Sequence, residues 1–342
     1  MIAAVAFSFG LSNATLGDEL AEREAIKIEV ASLVRSEQFV KLEALVEMYR
    51  TSKSRTSSGL WHLTLFHIGV RQAFDANRGG ETYWQSAKRR AEKWVAAFPN
   101  SPTAQLAYAT MMYNYGLSFT ANVPYSMVAP KDKLNMGFFV RDARLYLEKN
   151  KAVAAQDPRW YELMIGVARL ESWPAEDLLK LMSEGLQREP QFYQTYFAAI
   201  DYFAGFRGAG VAAIDRIARF AVDSTRQTEG LGMYARAYWY ASQTVFGDRL
   251  FLDSMVDWPT MKKGIDDVLK RYPDNWNLNN FAKFACLAQD KAKTAELLAR
   301  INEGPIEVVW GSPSAFQNCQ DWSSGLTTTP KAAAKPIAYR GG

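Results

Sequence analysis

Two cysteines, two histidines and a scatter of carboxylates are the residues with which this 342-residue chain could do chemistry. Cys286 and Cys319 stand 33 residues apart, without a Cys-x-x-Cys. An even count and a secretory-looking N-terminus point to a disulfide between them, and in a reducing compartment both would be buried thiols. Chain-entropy arguments give such a cross-link roughly 3–4 kcal/mol for a loop of this size. His62 and His67 are five apart and miss the i, i+4 spacing of a helical metal pair, so they read as packed or surface side chains and no zinc site is expected. No Gly-x-Ser-x-Gly elbow supports a Ser/His/Asp triad, and acidic pairs lie on many solvated helix faces without selecting one. Gly205 to Gly210 lacks the spacing and the preceding strand of a phosphate cradle, and reads as a tight turn between helices. These residues predict no catalytic, cofactor or metal site.

The elements that carry them are helices. From Trp258 to Ile301 the chain reads helix, proline turn, helix, short polar turn, helix. Met261, Ile265, Val268, Leu269 and Tyr272 fall on one face of a 3.6-residue period, with Lys262, Lys263, Asp266, Asp267 and Lys270 opposite. Pro259 suits a first helical turn, and Pro273 ends the helix because the residue before a proline avoids the α region. Leu278, Phe281, Ala285 and Ala288 continue the period in the next segment. Each helix has a single apolar stripe, so each must pack on its neighbours. Trp173-Pro174 opens a segment ending at Pro190, as Trp258-Pro259 opens one ending at Pro273, and Asp157-Pro158 and Phe98-Pro99 start weaker copies. The interval from Pro158 to Pro190 is 32 residues, near the ~34-residue tetratricopeptide period. The predicted fold is all-α: an irregular tetratricopeptide-like stack of antiparallel helix pairs, an α-solenoid or superhelix. The alternative is an irregular helical domain with prolines at its helix ends.

Residues 1–14 carry an apolar run followed by small residues and read as a signal peptide cleaved after Ala14, although a basic n-region is missing. The array is expected over 15–303, a C-terminal capping extension without helical period over 304–326, and a disordered tail over 327–342. Thr51 to Gly59 reads as a polar turn, and Arg141 to Ala155 as a helix. Thr120 to Met136 is the longest irregular stretch of the array, and Pro124, Tyr125 and Met127 make it the candidate binding loop. Net charge is +4, from 40 Lys and Arg against 36 Asp and Glu, which over this length argues against nucleic acid as a partner. No run reaches the ~18 apolar residues of a membrane span, so no stable membrane insertion is expected.

Three stretches together resemble a bacterial family of tetratricopeptide-like helical proteins, domain of unknown function 4034. They are Trp94 with Phe98-Pro99-Asn100-Ser101-Pro102-Thr103-Ala104, then Tyr272-Pro273-Asp274-Asn275-Trp276 running on to Asn280-Phe281-Ala282, Phe284-Ala285-Cys286 and Asp290, then Trp310, Phe316 and Cys319. The resemblance spans most of Leu42 to Trp322 and implies a fold but no activity. Gly116-Leu117-Ser118-Phe119 stands where the family usually holds an Arg-Gly pair. The dipeptide Glu171-Ser172 is shared with lytic transglycosylases, but the Gly-Leu-Met-Gln-type stretch of those enzymes is missing.

The expected function is that of a non-enzymatic helical-repeat protein that binds a protein or peptide partner, periplasmic or secreted in a bacterium, with a cytoplasmic location as the alternative. The competing expectations are a cell-wall-acting enzyme or accessory with carboxylates in an aromatic groove, and an effector-associated or immunity protein.

Overall fold

The computed structural model describes residues 19–75, 79–120, 125–205 and 209–328. The signal-peptide residues 1–14, Pro124 and most of the expected tail lie outside them. The described residues form α-helices joined by short turns, with no β-sheet among them and one isolated bridge, Arg55 to Trp61. In chain order they are α1 (Glu19–Arg35), α2 (Phe39–Ser52), α3 (His62–Ala73), α4 (Glu81–Ala97), α5 (Pro102–Ser118), α6 (Pro130–Lys149), α7 (Lys151–Ala154), α8 (Arg159–Leu170) and α9 (Ala175–Arg188). There follow α10 (Gln194–Ala204), α11 (Ala209–Glu229), α12 (Gly232–Ala241), α13 (Leu250–Asp253), α14 (Trp258–Arg271), α15 (Asn275–Leu287), α16 (Lys291–Leu298), α17 (Glu307–Trp310) and α18 (Pro313–Ser324).

The caps explain the boundaries. Ser101, Asp257, Asp274, Asp290 and Ser312 each accept a backbone N–H from the first turn of the helix they precede, at 2.7–3.2 Å. Pro102, Pro130, Pro259 and Pro313 stand in first turns, where no N–H is missed.

Sequence neighbours pack as an irregular stack of antiparallel helices. One row runs α3, α5, α8, α10, α12, each member touching the next, while α4, α6, α9, α11 and α14 lie against them. Trp239 of α12 meets Trp276 and Phe281 of α15 and continues the row. Small residues set the spacing: a Cβ on Gly264 of α14 would come 2.5 Å from the carbonyl oxygen of Leu231, at the start of α12. The row curves until its beginning meets its later members, because the loop between α2 and α3 touches α12 and α15.

Three boundaries differ from expectation. The irregular stretch at 120–136 is shorter, because Pro130 opens α6 with Ala129 extended before it, so the helix expected from Arg141 starts eleven residues earlier. The extension at 304–326 is helical, not aperiodic: Ser312 caps α18, and α17 and α18 pack on α15 and α16. The turn at 51–59 belongs to α2 as far as Ser52 and is a structural bridge beyond it.

Candidate binding face

The bridge is built from one buried carboxylate outward. Glu19 opens α1 and accepts the Thr56, Ser57 and Ser58 hydroxyls at 2.7, 2.7 and 2.6 Å, the Ser58 N–H at 2.9 Å and Arg23 Nε at 2.5 Å. Burial pushes its pKa up, but Arg23 and the hydroxyls of Ser58, Ser57 and Thr56 outweigh burial and hold it at about 2. Ser57 Oγ also lies 2.7 Å from Asp274 Oδ2, so one hydroxyl stands between two carboxylates from opposite ends of the array. The Ser58 carbonyl accepts Arg236 Nη2 at 2.8 Å and Asn277 Nδ2 at 3.1 Å. Gly59 makes the turn at φ +92°, where a Cβ would meet Arg236 Nη2 at 2.7 Å and the Tyr272 ring at 2.9 Å. Arg55 lies over Tyr193, Arg236 over Tyr193 and Tyr272, and Arg23 over Trp276, at 4.7–5.7 Å from the ring centres. Arg55 Nη2, Arg236 Nε and Asn277 Oδ1 are buried here with no hydrogen-bond partner among the described residues, and Glu229 Oε2 is 3.8 Å from Arg271 Nη1.

A second assembly ties α2 and α3 to the start of α8. Asp157 is fully buried and accepts His67 Nε2 at 3.1 Å, Arg50 Nη2 at 2.9 Å and the Arg159 N–H at 2.9 Å. Burial pushes its pKa up, but His67 and Arg50 outweigh it and hold the carboxyl well below the usual range. A cavity of about 190 Å³ lies beside it, lined by Arg50, Trp61, Tyr161, Arg188 and Glu189 among others. No hydroxyl or thiol is hydrogen-bonded to His67 among the described residues. A larger hollow of about 480 Å³ runs along α9, but one helix supplies its whole lining, so it cannot enclose a ligand.

The third assembly lies on the inner side of the row, where Arg71 of α3, Tyr113 of α5, Arg159 and Glu162 of α8, Asp201 of α10 and Tyr240 of α12, each half-buried, stand within electrostatic reach of one another. Tyr240 donates to Asp201 Oδ2 at 2.7 Å, and its ring stacks on Phe197 at 4.5 Å. Tyr113 crosses to α8, where its hydroxyl would be 3.0 Å from a Cβ on Gly166. Burial, then the Glu162 charge, raises the Asp201 pKa against the pull of Tyr240 and Arg169. Arg159 is paired with Glu162. The Arg71 guanidinium has no hydrogen bond or ion pair among the described residues; burial, then the charge of Arg159, lowers its pKa.

Cys286 and Cys319 form a disulfide, with Cα atoms 5.9 Å apart, that ties α18 to α15. Of the expected binding loop, Met127 is exposed, while Pro124 and the side chain of Tyr125 lie outside the described residues. His62 bonds to Ser54 at 2.8 Å and Glu22 at 3.0 Å, apart from His67. Glu171 ends α8 and is held by Arg144 and the Trp173 indole N–H. Arg71, Glu162, Asp201 and Tyr240 were not singled out in the sequence, because each is one charged or aromatic residue among many. Their spacing of 39 to 91 residues carries no periodic signal. Comparison with protein-family models, curated proteins and solved structures finds no match to this chain.

Proposed function

We propose that this chain is a non-enzymatic binding protein of the domain of unknown function 4034 type, acting outside the cytoplasm. It holds a segment of a partner protein against the inner row, with an acidic group of that segment docked on Arg71. The supporting observation is the Arg71 guanidinium: it is half-buried, stands beside a second arginine, and has no ion pair with a carboxylate among the described residues, Glu162 acting on it only through its charge. An arginine with no ion pair among the described residues, near Tyr113 and Tyr240, matches the composition of peptide-recognition sites, where aromatic rings supply contact area and a guanidinium fixes a carboxylate. The bridge at Ser57 and Ser58 fills one part of the inner side, so the partner lies along α3, α5, α8 and α10. The Cys286–Cys319 disulfide supports an oxidising compartment.

The test is binding of peptides with acidic side chains or free C-termini, against amidated and neutral controls, to the wild-type chain and to Arg71→Met. Acidic peptides should bind in a salt-sensitive way and lose about tenfold or more on the substitution. Equal binding of neutral controls, or an Arg71→Met protein that binds like the wild type, contradicts the proposal.

One observation favours a second reading, an enzyme of the cell wall. Asp201 has a raised proton affinity, sits within electrostatic reach of Glu162, and lies beside aromatic rings. Two neighbouring carboxylates, one of them with a raised proton affinity, are the raw material of general acid–base catalysis. A glycan-hydrolysing activity abolished by Asp201→Asn and by Glu162→Gln would replace the binding proposal.

A further inference from the structure

We infer that the outer face of α6 is a self-association surface, and that its occupant is the same face of a second copy, running antiparallel. α6 buries Met136, Val140, Ala143 and Leu147 against α5 and α8. Its opposite face carries Lys131, Leu134, Phe138, Arg141, Leu145 and Glu148, all exposed. Leu134 is 75%, Phe138 50% and Leu145 49% exposed, on a helix in the middle of the chain. Their spacing alternates 3, 4, 3, 4, 3, so they form one stripe along the helix, and Leu134, Phe138 and Leu145 give it the apolar positions that a two-stranded coiled coil can use as a seam. A tetratricopeptide-like stack has no use for such a seam on its own.

The charge order names the occupant. Place a second α6 antiparallel across a two-fold axis midway between Phe138 and Arg141. Lys131 then faces Glu148 of the other copy, Leu134 faces Leu145, and Phe138 faces Arg141. Every layer pairs one seam position with its complement, twice over by symmetry. Leu134 then packs on Leu145, and Lys131 meets Glu148, which on its own chain is paired with Arg144 at 3.1 Å. Arg141 already lies over the Phe138 ring of its own chain, at 5.6 Å, and can pass to the ring of the other. Lys131 has no ion pair of its own among the described residues, and Gly137 beside the axis leaves open space where a Cβ would stand. In the parallel arrangement Lys131 would face Lys131 and Glu148 would face Glu148, so charge selects the antiparallel one. One pair of 20-residue helices covers less than the ~1,600 Å² of a standard interface, so the dimer should be weak and concentration-dependent.

The test is sedimentation equilibrium of the full chain over a concentration series, with variants Leu134→Asp, Lys131→Glu and Glu148→Lys. The wild type should move from monomer to dimer, and Leu134→Asp should stay monomeric. Lys131→Glu and Glu148→Lys should each dimerise about tenfold more weakly, since each sets two like-charged pairs face to face. An equimolar mixture of these two should recover wild-type association, because the heterodimer restores both pairs. A wild type that is monomeric throughout, a dimer indifferent to Leu134→Asp, or a mixture no better than its components would each overturn the inference. Far-UV circular dichroism checks the fold; should Leu134→Asp unfold, the two charge variants and their mixture decide alone.

Discussion

Arg236 donates a 2.8 Å hydrogen bond to the carbonyl oxygen of Ser58, 178 residues earlier in the chain. Few contacts in a helical stack reach so far, because each helix mainly touches its sequence neighbours. This one, with Asn277 on the same oxygen, joins the start of the array to α12 and α15. The stack is therefore tied across its inner side, and its two ends are not independent.

Replacing Arg236 with Met should break that tie. A buried charged donor is lost, and two aromatic rings lose the cation above them. The expected cost is about 3 kcal/mol in urea unfolding. Hydrogen exchange should show where it falls: amides of α1 and the 53–61 loop should exchange faster, while α15 and α16 keep their protection. Uniform loss across the chain would mean that the bridge does not hold the N-terminal end.

The bridge should also sense acid. Glu19 is held at about 2 in the folded chain, against its ordinary value of 4.5. A depressed carboxylate stabilises the fold fully above the unfolded value, and this contribution disappears as pH falls through the folded value. Stability should therefore drop between about pH 4.5 and 2 with a component that Glu19→Gln removes. The variant should be less stable than wild type at neutral pH, and the gap should close towards pH 2. Melting temperatures of the two proteins across that range measure it. A gap that stays constant with pH would show that Glu19 is not the group that titrates.

Much of the stack is legible in the sequence. The stripe from Met261 to Leu269 and the prolines at 102, 259 and 273 announce helices and their ends, because amphipathic period and backbone restriction act locally. The bridge is not legible. Thr51 to Gly59 has the composition of a solvated turn, and its hydroxyls become structural only when Glu19, Arg236 and Asn277 arrive from 37 to 219 residues away. The inner patch is hidden for the same reason, since Arg71 and Tyr240 come within electrostatic reach only through the packing of α3, α5, α8, α10 and α12. The helices α17 and α18 are not legible either, because a 4-residue helix and a capped 12-residue one are too short to show a period.

Opening the Cys286–Cys319 bond should loosen one end of the chain and leave the rest folded. The bond closes a 33-residue separation, worth roughly 3–4 kcal/mol by chain entropy. The Cys286→Ser/Cys319→Ser protein should unfold at lower urea by about that amount. Proteolysis should cut first between Ile301 and Pro313, where α17 and its turns depend on the tie. Thiol titration of the unfolded, unreduced wild type should find no reactive thiol; two reactive thiols would show that the bond does not form.

Asp157 offers a test of cooperation within a buried cluster. It draws together Arg50 from α2, His67 from α3 and the first turn of α8, with Asp157 and His67 buried and Arg50 half-buried. Removing one partner of such a group leaves the others buried and uncompensated, which costs more than the pair itself contributes. Arg50→Met and Asp157→Asn should each destabilise by about 3 kcal/mol. In the double variant the second change removes a charge that has already lost its partner, so the total should fall short of the sum by about 1 kcal/mol or more. Urea unfolding of the four proteins at neutral pH closes the cycle. Strict additivity would mean that Arg50 reaches Asp157 through solvent and does not act as its counter-ion, and the link between α2 and α8 would then rest on His67 and the Arg159 N–H alone.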